Sequence, residues 1–373
     1  MAGLPIIHSG LVREKSAYGR ELKTLRKVLG HTPLTTCLIP VPQTFVFPNR
    51  RNFGVIFIGA GLTLLPKLRR IKPDLVHCRS FLSTFIASDL RRRAGLDYKI
   101  IYDALSLWPE MQYRRYNDAE DLAMFRQMER DIVYDVDAVV AVNDAMRDHY
   151  AQMGAGYVIT NYIAASMAPD YAPRLRAPGQ PIRLVYAGAL YEGGMQTPQM
   201  LFKLASAVQH HLGRVHLTVL TTSPHAPLQT LAQKYLDTDQ FHFEAVRDPA
   251  RMPLLLAKAD FACNVYRKPV TEIDMMLCAT GLSTKSAEYL SAGLPILVSS
   301  YPEAIGRLVN DNKVGCTFDE TRADFGLSAP QLEALMTVQT RQRAAKLARH
   351  NFDRRVVAKR FAELYRHVTD RTP

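Results

Sequence analysis

Cysteine is scarce in this chain. There are five in 373 residues (Cys37, Cys78, Cys263, Cys278 and Cys316), an odd number with no CxxC spacing. That pattern argues against a disulfide framework and a zinc centre, and it fits a reducing compartment. Long apolar runs are missing too: none approaches the ~20 residues that a membrane-crossing helix needs. The opening Met1–Ile7 is too short and too uncharged for a secretory leader. A GxGxxG turn is absent, which disfavours a dinucleotide-dependent dehydrogenase. Acidic residues are rare at one end. Residues 1–93 hold four Asp or Glu against sixteen Lys or Arg, and that excess equals the +12 net charge of the whole chain. Such asymmetry marks a surface for an anionic partner. Basic residues are not interleaved with aromatics and no nucleic-acid module is recognisable, so nucleic acid is not the partner expected.

What is present is a folded α/β chain of ordinary composition, 47% hydrophobic and 22% charged, long enough for two domains. Short apolar segments alternate with helical periodicity. Strands are predicted near 4–8, 34–39, 54–58, 74–78, 98–102, 137–142 and 157–160. Helices are predicted near 16–29, 61–71, 81–94, 119–135 and 143–152. Near-continuous apolar runs such as Asp137–Val142 suit parallel strands covered on both faces. Four prolines without periodicity mark a linker over 166–181. The alternation then restarts, with strands at 182–186, 215–220, 240–243, 260–264 and 296–298. Helices follow at 197–211, 226–236, 250–258, 284–292 and 302–309, then 329–349 and 352–368. Two βα arrays imply two doubly wound, Rossmann-like domains, 1–165 and 182–350, with 351–373 as a final helix that either closes the second domain or crosses back to pack on the first. Ligands in such sheets bind beyond the carboxyl ends of the strands, and a facing pair places substrates in a cleft.

The segment Ser283–Ser299 carries the most chemistry. It reads as a polar loop, a helix bearing Lys285 and Glu288 on one face, a Gly293-Leu294-Pro295 turn and a buried strand. A helix start offers free N–H groups and a positive dipole end to a phosphate. Lys285 adds a point charge, and Glu288 one turn on suits two sugar hydroxyls. On spacing alone, an exposed Lys/Glu pair on an ordinary helix fits as well. Leu184–Met195 is a strand running into Gly188, where a backbone loop can approach a phosphate. Asp74–Ser80 and Tyr102–Glu110 place His77, Arg79 and Asp103 at strand ends, and His8-Ser9-Gly10 follows the first strand. Phe53–Arg70 is apolar and ends in a basic cluster. It suits either a membrane interface or a buried strand and core helix.

These segments together resemble the GT-B glycosyltransferases, in particular the GT4-like retaining family (glycosyltransferase group 1 type). The Ser283–Ser299 run is similar to that family's donor element. The resemblance implies that Glu288 binds ribose and that Ser283, Thr284 and Lys285 bind the diphosphate. Gly188 and Ala189 lie in a stretch similar to the family's strand–Gly loop, which contacts the donor phosphate, but Ala189 and Glu192 or Met195 occupy the neighbourhood where the family often carries an Arg and a Lys. Val246 lies in the loop that reads the base, and Arg267 is placed to help neutralise the leaving group. His77 matches the first His of the family's acceptor-facing strand end, Arg79 stands where the second would be, and Asp103 lies at the next strand end. His8, Ser9 and Gly10 match the flexible loop under the donor. Thr280 stands where many members carry a second Glu.

The resemblance implies an enzyme. It would move a sugar from a UDP- or GDP-sugar to a saccharide or lipid-linked saccharide, retaining configuration, in surface polysaccharide or glycoconjugate assembly. It implies no cofactor and no metal. A cytoplasmic protein, peripheral on the inner face of the plasma membrane through its basic first domain, is the location expected. The alternatives are a sugar-nucleotide epimerase of the same fold and a non-catalytic sugar-nucleotide-binding scaffold.

Overall fold

The computed structural model describes residues 6–9, 17–30, 34–37, 62–165, 167–168, 177 and 179–369. Gly10, the strand expected at 54–58, the first part of Phe53–Arg70 and most of the 166–181 linker lie outside them. The chain divides into two compact units. One comprises Met1–Tyr162 with Arg354–Pro373, and the other Ile163–Asp353.

The first unit is built on β1 (Ile6–Ser9), β2 (Leu34–Cys37), β3 (Leu75–Arg79), β4 (Lys99–Ala104), β5 (Ala138–Ala141) and β6 (Val158–Thr160). All pair in parallel, in the order β2-β1-β3-β4-β5-β6. Its helices are α1 (Ala17–Leu29), α2 (62–71), α3 (Phe81–Ala94), α4 (Trp108–Tyr116), α5 (Ala119–Asp135) and α6 (Asp144–Met153). Local chemistry sets their ends. Asp118 accepts from the backbone N–H groups of Glu120 and Asp121 at the start of α5, and Asn143 accepts from Met146 N at the start of α6. In α2, Leu64 and Leu68 sit one turn apart and are buried with Val76, Cys78, Ile86 and Ile100, while Lys67, Arg69 and Arg70 are exposed. That half of Phe53–Arg70 is therefore an amphipathic core helix with a solvated basic side.

The second unit repeats the plan with β7 (Ile182–Ala187), β8 (Val215–Leu220), β9 (Phe241–Glu244), β10 (Phe261–Asn264), β11 (Ile296–Ser299) and β12 (Gly315–Phe318). Again all pairs are parallel, in the order β12-β11-β10-β7-β8-β9. Its helices are α7 (Pro198–Leu212), α8 (His225–Ala232), α9 (Met252–Leu256), α10 (Glu272–Ala279), α11 (Thr284–Ser291), α12 (Glu303–Asp311), α13 (Ala329–Leu335) and α14 (Val338–Asn351). The sheet reverses its winding between β7 and β10, which is the point where loops part above an open α/β sheet. Buried Asp260 ties this centre together: it accepts from Arg183 N, Nε and Nη2 at 2.8–3.0 Å.

Two differences from the sequence reading have local causes. The stretch 108–116 is a helix, with Pro109 in the first turn, where its missing N–H costs nothing. The long helix expected over 329–349 breaks at Met336, because Thr337 caps a new helix by accepting from Thr340 N. The short elements α10 and β12 had no counterpart among the elements expected. The last helix, α15 (Arg354–Thr369), belongs to the first unit: Ala358, Leu364, Tyr365 and Val368 pack against Leu25, Leu75, Ile101 and Val140. Among the described residues, no helix is long and apolar enough to cross a membrane.

Candidate functional site

In the second unit the side chain of Lys285 is the centre of the site. It leaves the first turn of α11 and lies under the loop that follows β7. Its Nζ donates to Tyr186 Oη at 3.0 Å and to Gln196 Oε1, and stands 4.5 Å from the centre of the Tyr186 ring. Gly188, with φ +137°, makes the space: a Cβ there would meet Lys285 Nζ at 2.8 Å. The backbone of β7 is held in place from below, where Ala187 N donates to Tyr289 Oη at 2.7 Å.

Burial pushes the Lys285 ammonium down to about 7, a little offset by the charge of Glu288. Its two side-chain acceptors are neutral and bring no counter-charge to the cation. An incoming diphosphate would supply one. Glu288 lies one turn further along α11 and is partly exposed. Ser283 precedes the helix without a side-chain cap bond, and Thr284 is exposed at the first position.

A chain of neutral side chains runs beneath. Gln196 Nε2 donates to Asn264 Oδ1 at 2.8 Å, Asn264 Nδ2 donates to Ser286 Oγ at 2.9 Å, and Ser286 Oγ lies 3.3 Å from Ser283 Oγ. Tyr186, Gln196, Asn264 and Ser286 were not among the residues singled out from sequence. The available signal was Asn264, an amide closing the apolar run Phe261–Cys263 and wholly buried. A buried amide must find partners.

The other donor-side candidates make contacts of their own. Ala189 is exposed, and its carbonyl lies 2.9 Å from Tyr186 Oη. Val246 is in the loop after β9. Arg267 pairs with Asp274 at 3.1 Å, and its backbone N donates to Met195 O at 2.9 Å. It lines a cavity of about 690 Å³ with Lys203, Lys268, Glu192, Glu320 and Thr197.

In the first unit the three strand-end candidates do come together. His77 Nε2 is 3.4 Å from Asp103 Oδ2, and Arg79 Nη1 is 3.8 Å from the same oxygen and 2.7 Å from Glu21 Oε2. His77 is buried, with Nδ1 2.6 Å from Tyr365 Oη of α15. Register explains the grouping: β3 lies between β1 and β4, so His77 pairs with His8 and Ile101, Cys78 with Ser9, and Arg79 with Asp103. Ser80 follows with φ +76°, a conformation that costs a non-glycine residue about 1–3 kcal/mol. Thr84 Oγ1 and Ser83 Oγ both donate to its carbonyl. Among the described residues, no group of three His, Cys, Asp or Glu side chains is arranged to hold a metal ion.

Comparison with known proteins agrees with the fold. Residues 30–161 match the family described as glycosyl transferase 4-like domain. No curated protein matches the sequence. Among solved structures, sucrose-phosphate synthase from Thermosynechococcus elongatus superposes with a TM-score of 0.69 at 14% identity, over 98% of this chain and 99% of that one. The lipopolysaccharide outer core galactosyltransferase WaaB, in its apo form, gives 0.64 at 10%, over 97% and 98%. Anabaena HepE in complex with UDP gives 0.60 at 13%, over 98% and 100%. At such identities the likeness is one of fold. The chain has the GT-B fold, and its residues 30–161 match the glycosyl transferase 4-like domain family.

Proposed function

We propose that this chain is a glycosyltransferase that takes a sugar from a nucleotide-diphosphate donor, UDP- or GDP-linked, and passes it to a saccharide or lipid-linked saccharide with retention of configuration. The observation that carries the reading is Lys285: a cation with only neutral acceptors at its ammonium, seated under Gly188 beside the start of α11. That arrangement suits a diphosphate and stabilises charge as it develops on the leaving group. Glu288 takes the ribose hydroxyls in this reading, and the loop at Val246 faces the base. The UDP held by HepE supports a nucleotide ligand for the fold. No metal is needed where an ammonium and helix N–H groups neutralise the phosphates.

The acceptor belongs in this reading to the first unit, at His77, Arg79 and Asp103. Surface polysaccharide assembly at an anionic membrane face fits the basic residues of that unit, including the exposed Lys67, Arg69 and Arg70 of α2. A second reading, donor binding without turnover, draws on Thr280. Its hydroxyl donates back to Met276 O at 2.9 Å, at the position where a carboxylate would otherwise stand.

The test is a thermal-shift panel of UDP-, GDP-, TDP- and ADP-sugars on wild type and Glu288→Ala, with sugar release followed in parallel. Stabilisation by one nucleotide class, lost in the variant, supports the donor site. Unchanged binding in Glu288→Ala refutes it. Binding without release of sugar to any acceptor favours the second reading.

A further inference from the structure

The Lys285 ammonium is not held by its own helix. Its partners come from elsewhere in the second unit: Tyr186 at the end of β7, and Gln196 just before α7. Gln196 is 9% exposed and touches both the cation and the network beneath it. Both ends of its amide are used. Oε1 accepts from Lys285 Nζ and from Tyr186 Oη at 2.8 Å, while Nε2 donates to Asn264, whose own amide donates to Ser286 in the first turn of α11. The two ends of Lys285, backbone and ammonium, are thus joined by a closed path through Ser286, Asn264 and Gln196.

Only an amide completes this path. It must accept at one end, where a cation and a hydroxyl arrive, and donate at the other, toward Asn264 Oδ1. We propose that Gln196 is the positioning residue of this site: it locks the Lys285 ammonium to the first turn of α11, so that cation and helix N–H groups meet a diphosphate as one unit. The proposal rests on the donor reading above and names a residue which that reading did not contain. The groups around the ammonium are Tyr186, whose own proton is held more tightly by burial, the neutral Gln196 and, on the same helix, Glu288. The amide therefore leaves the ammonium without a full counter-charge, and burial lowers it to about 7. A carboxylate at 196 would hold the ammonium's proton to higher pH.

Two variants of the full chain separate positioning from simple packing. Gln196→Glu keeps the shape and adds a charge, and Gln196→Met keeps the bulk and removes both hydrogen-bonding ends. Melting by circular dichroism checks that both fold. The first readout needs no nucleotide: acetylation of Lys285 by acetic anhydride across pH 5–10, followed by mass spectrometry. The reactivity midpoint is expected near 7 in wild type, and about one unit or more higher in Gln196→Glu. The second readout is the affinity for UDP and GDP, with uridine and guanosine as controls. Gln196→Met is expected to weaken diphosphate binding about ten-fold at pH 6.5, a loss of one charge-assisted hydrogen bond, and to leave nucleoside binding unchanged. An unmoved Lys285 midpoint in folded Gln196→Glu, or full diphosphate affinity in Gln196→Met, overturns the proposal. If wild type binds neither UDP nor GDP while the midpoint still moves, the donor reading falls and the coupling of Gln196 to Lys285 stands.

Discussion

Replacing Lys285 by Met is expected to make the protein more stable and unable to hold a nucleotide diphosphate. The ammonium falls from 10.5 to about 7 because the fold desolvates it. At 1.36 kcal/mol per unit that is about 4–5 kcal/mol of strain on the charged form. Lys285 is partly exposed, so water and local relaxation reduce the figure to about 1–2 kcal/mol. Met keeps the apolar stem, and Gln196 Oε1 retains Tyr186 Oη as a donor at 2.8 Å, so no buried acceptor is orphaned. Urea unfolding at pH 7 should show a gain of about 1–2 kcal/mol, roughly 2–8 °C in melting temperature for a unit of this size.

The sign has a pH signature. Between about 7 and 10.5 the unfolded chain binds more protons at this lysine than the folded one, so wild-type stability climbs with pH across that window. Lys285→Met lacks the climb, and its advantage should shrink toward pH 10. A variant less stable than wild type, with an unchanged gap from pH 7 to 10, refutes the burial argument. Intact binding of UDP- and GDP-sugars refutes the donor assignment.

Gly188→Ala forces a side chain onto φ +137° and pushes a methyl to 2.8 Å from Lys285 Nζ. A loss of about 1–3 kcal/mol is expected by urea unfolding, with weaker nucleotide binding. In a Lys285→Met background the loss should be smaller, and full additivity would contradict the contact. Glu129, buried between Tyr102 Oη at 2.8 Å and Tyr150 Oη at 3.0 Å, is pushed up to about 7 chiefly by burial. The fold therefore retains its proton where the unfolded chain has lost it, and stability falls as pH rises from about 4.5 to 7. Glu129→Gln should match wild type at pH 4.5 and exceed it at pH 8 in urea titrations; the reverse order would be decisive against this. Trp108 stacks on Phe81 at 4.4 Å and meets Phe125 edge-on at 4.9 Å. Trp108→Ala should cost about 3–5 kcal/mol by the same measurement, and a loss below about 1 kcal/mol would show the cluster to be slack.

The sequence by itself determined the alternation of strand and helix and the family resemblance at Ser283–Ser299. Hydrophobic period, cap residues and turn glycines act over a few residues, so they are written locally. It also placed Lys285 on a helix start after a polar loop. What it did not contain is the company that Lys285 keeps. Gln196 is 89 positions away and Tyr186 is 99, and they meet the lysine only because β7 and β10 are neighbours in the sheet. The same holds for His77 and Tyr365, 288 positions apart, joined because the last helix packs with the first unit. Arg267 reads in sequence as a basic residue in the loop Asn264–Pro269, and only the fold gave it Asp274 as a partner. Parallel pairing brings together strands that are distant in the chain, and hydrogen bonds between their ends follow sheet order, which no local pattern encodes. Most elements were therefore legible one by one, and the charge on Lys285, set by what surrounds it, was a property of the tertiary structure alone.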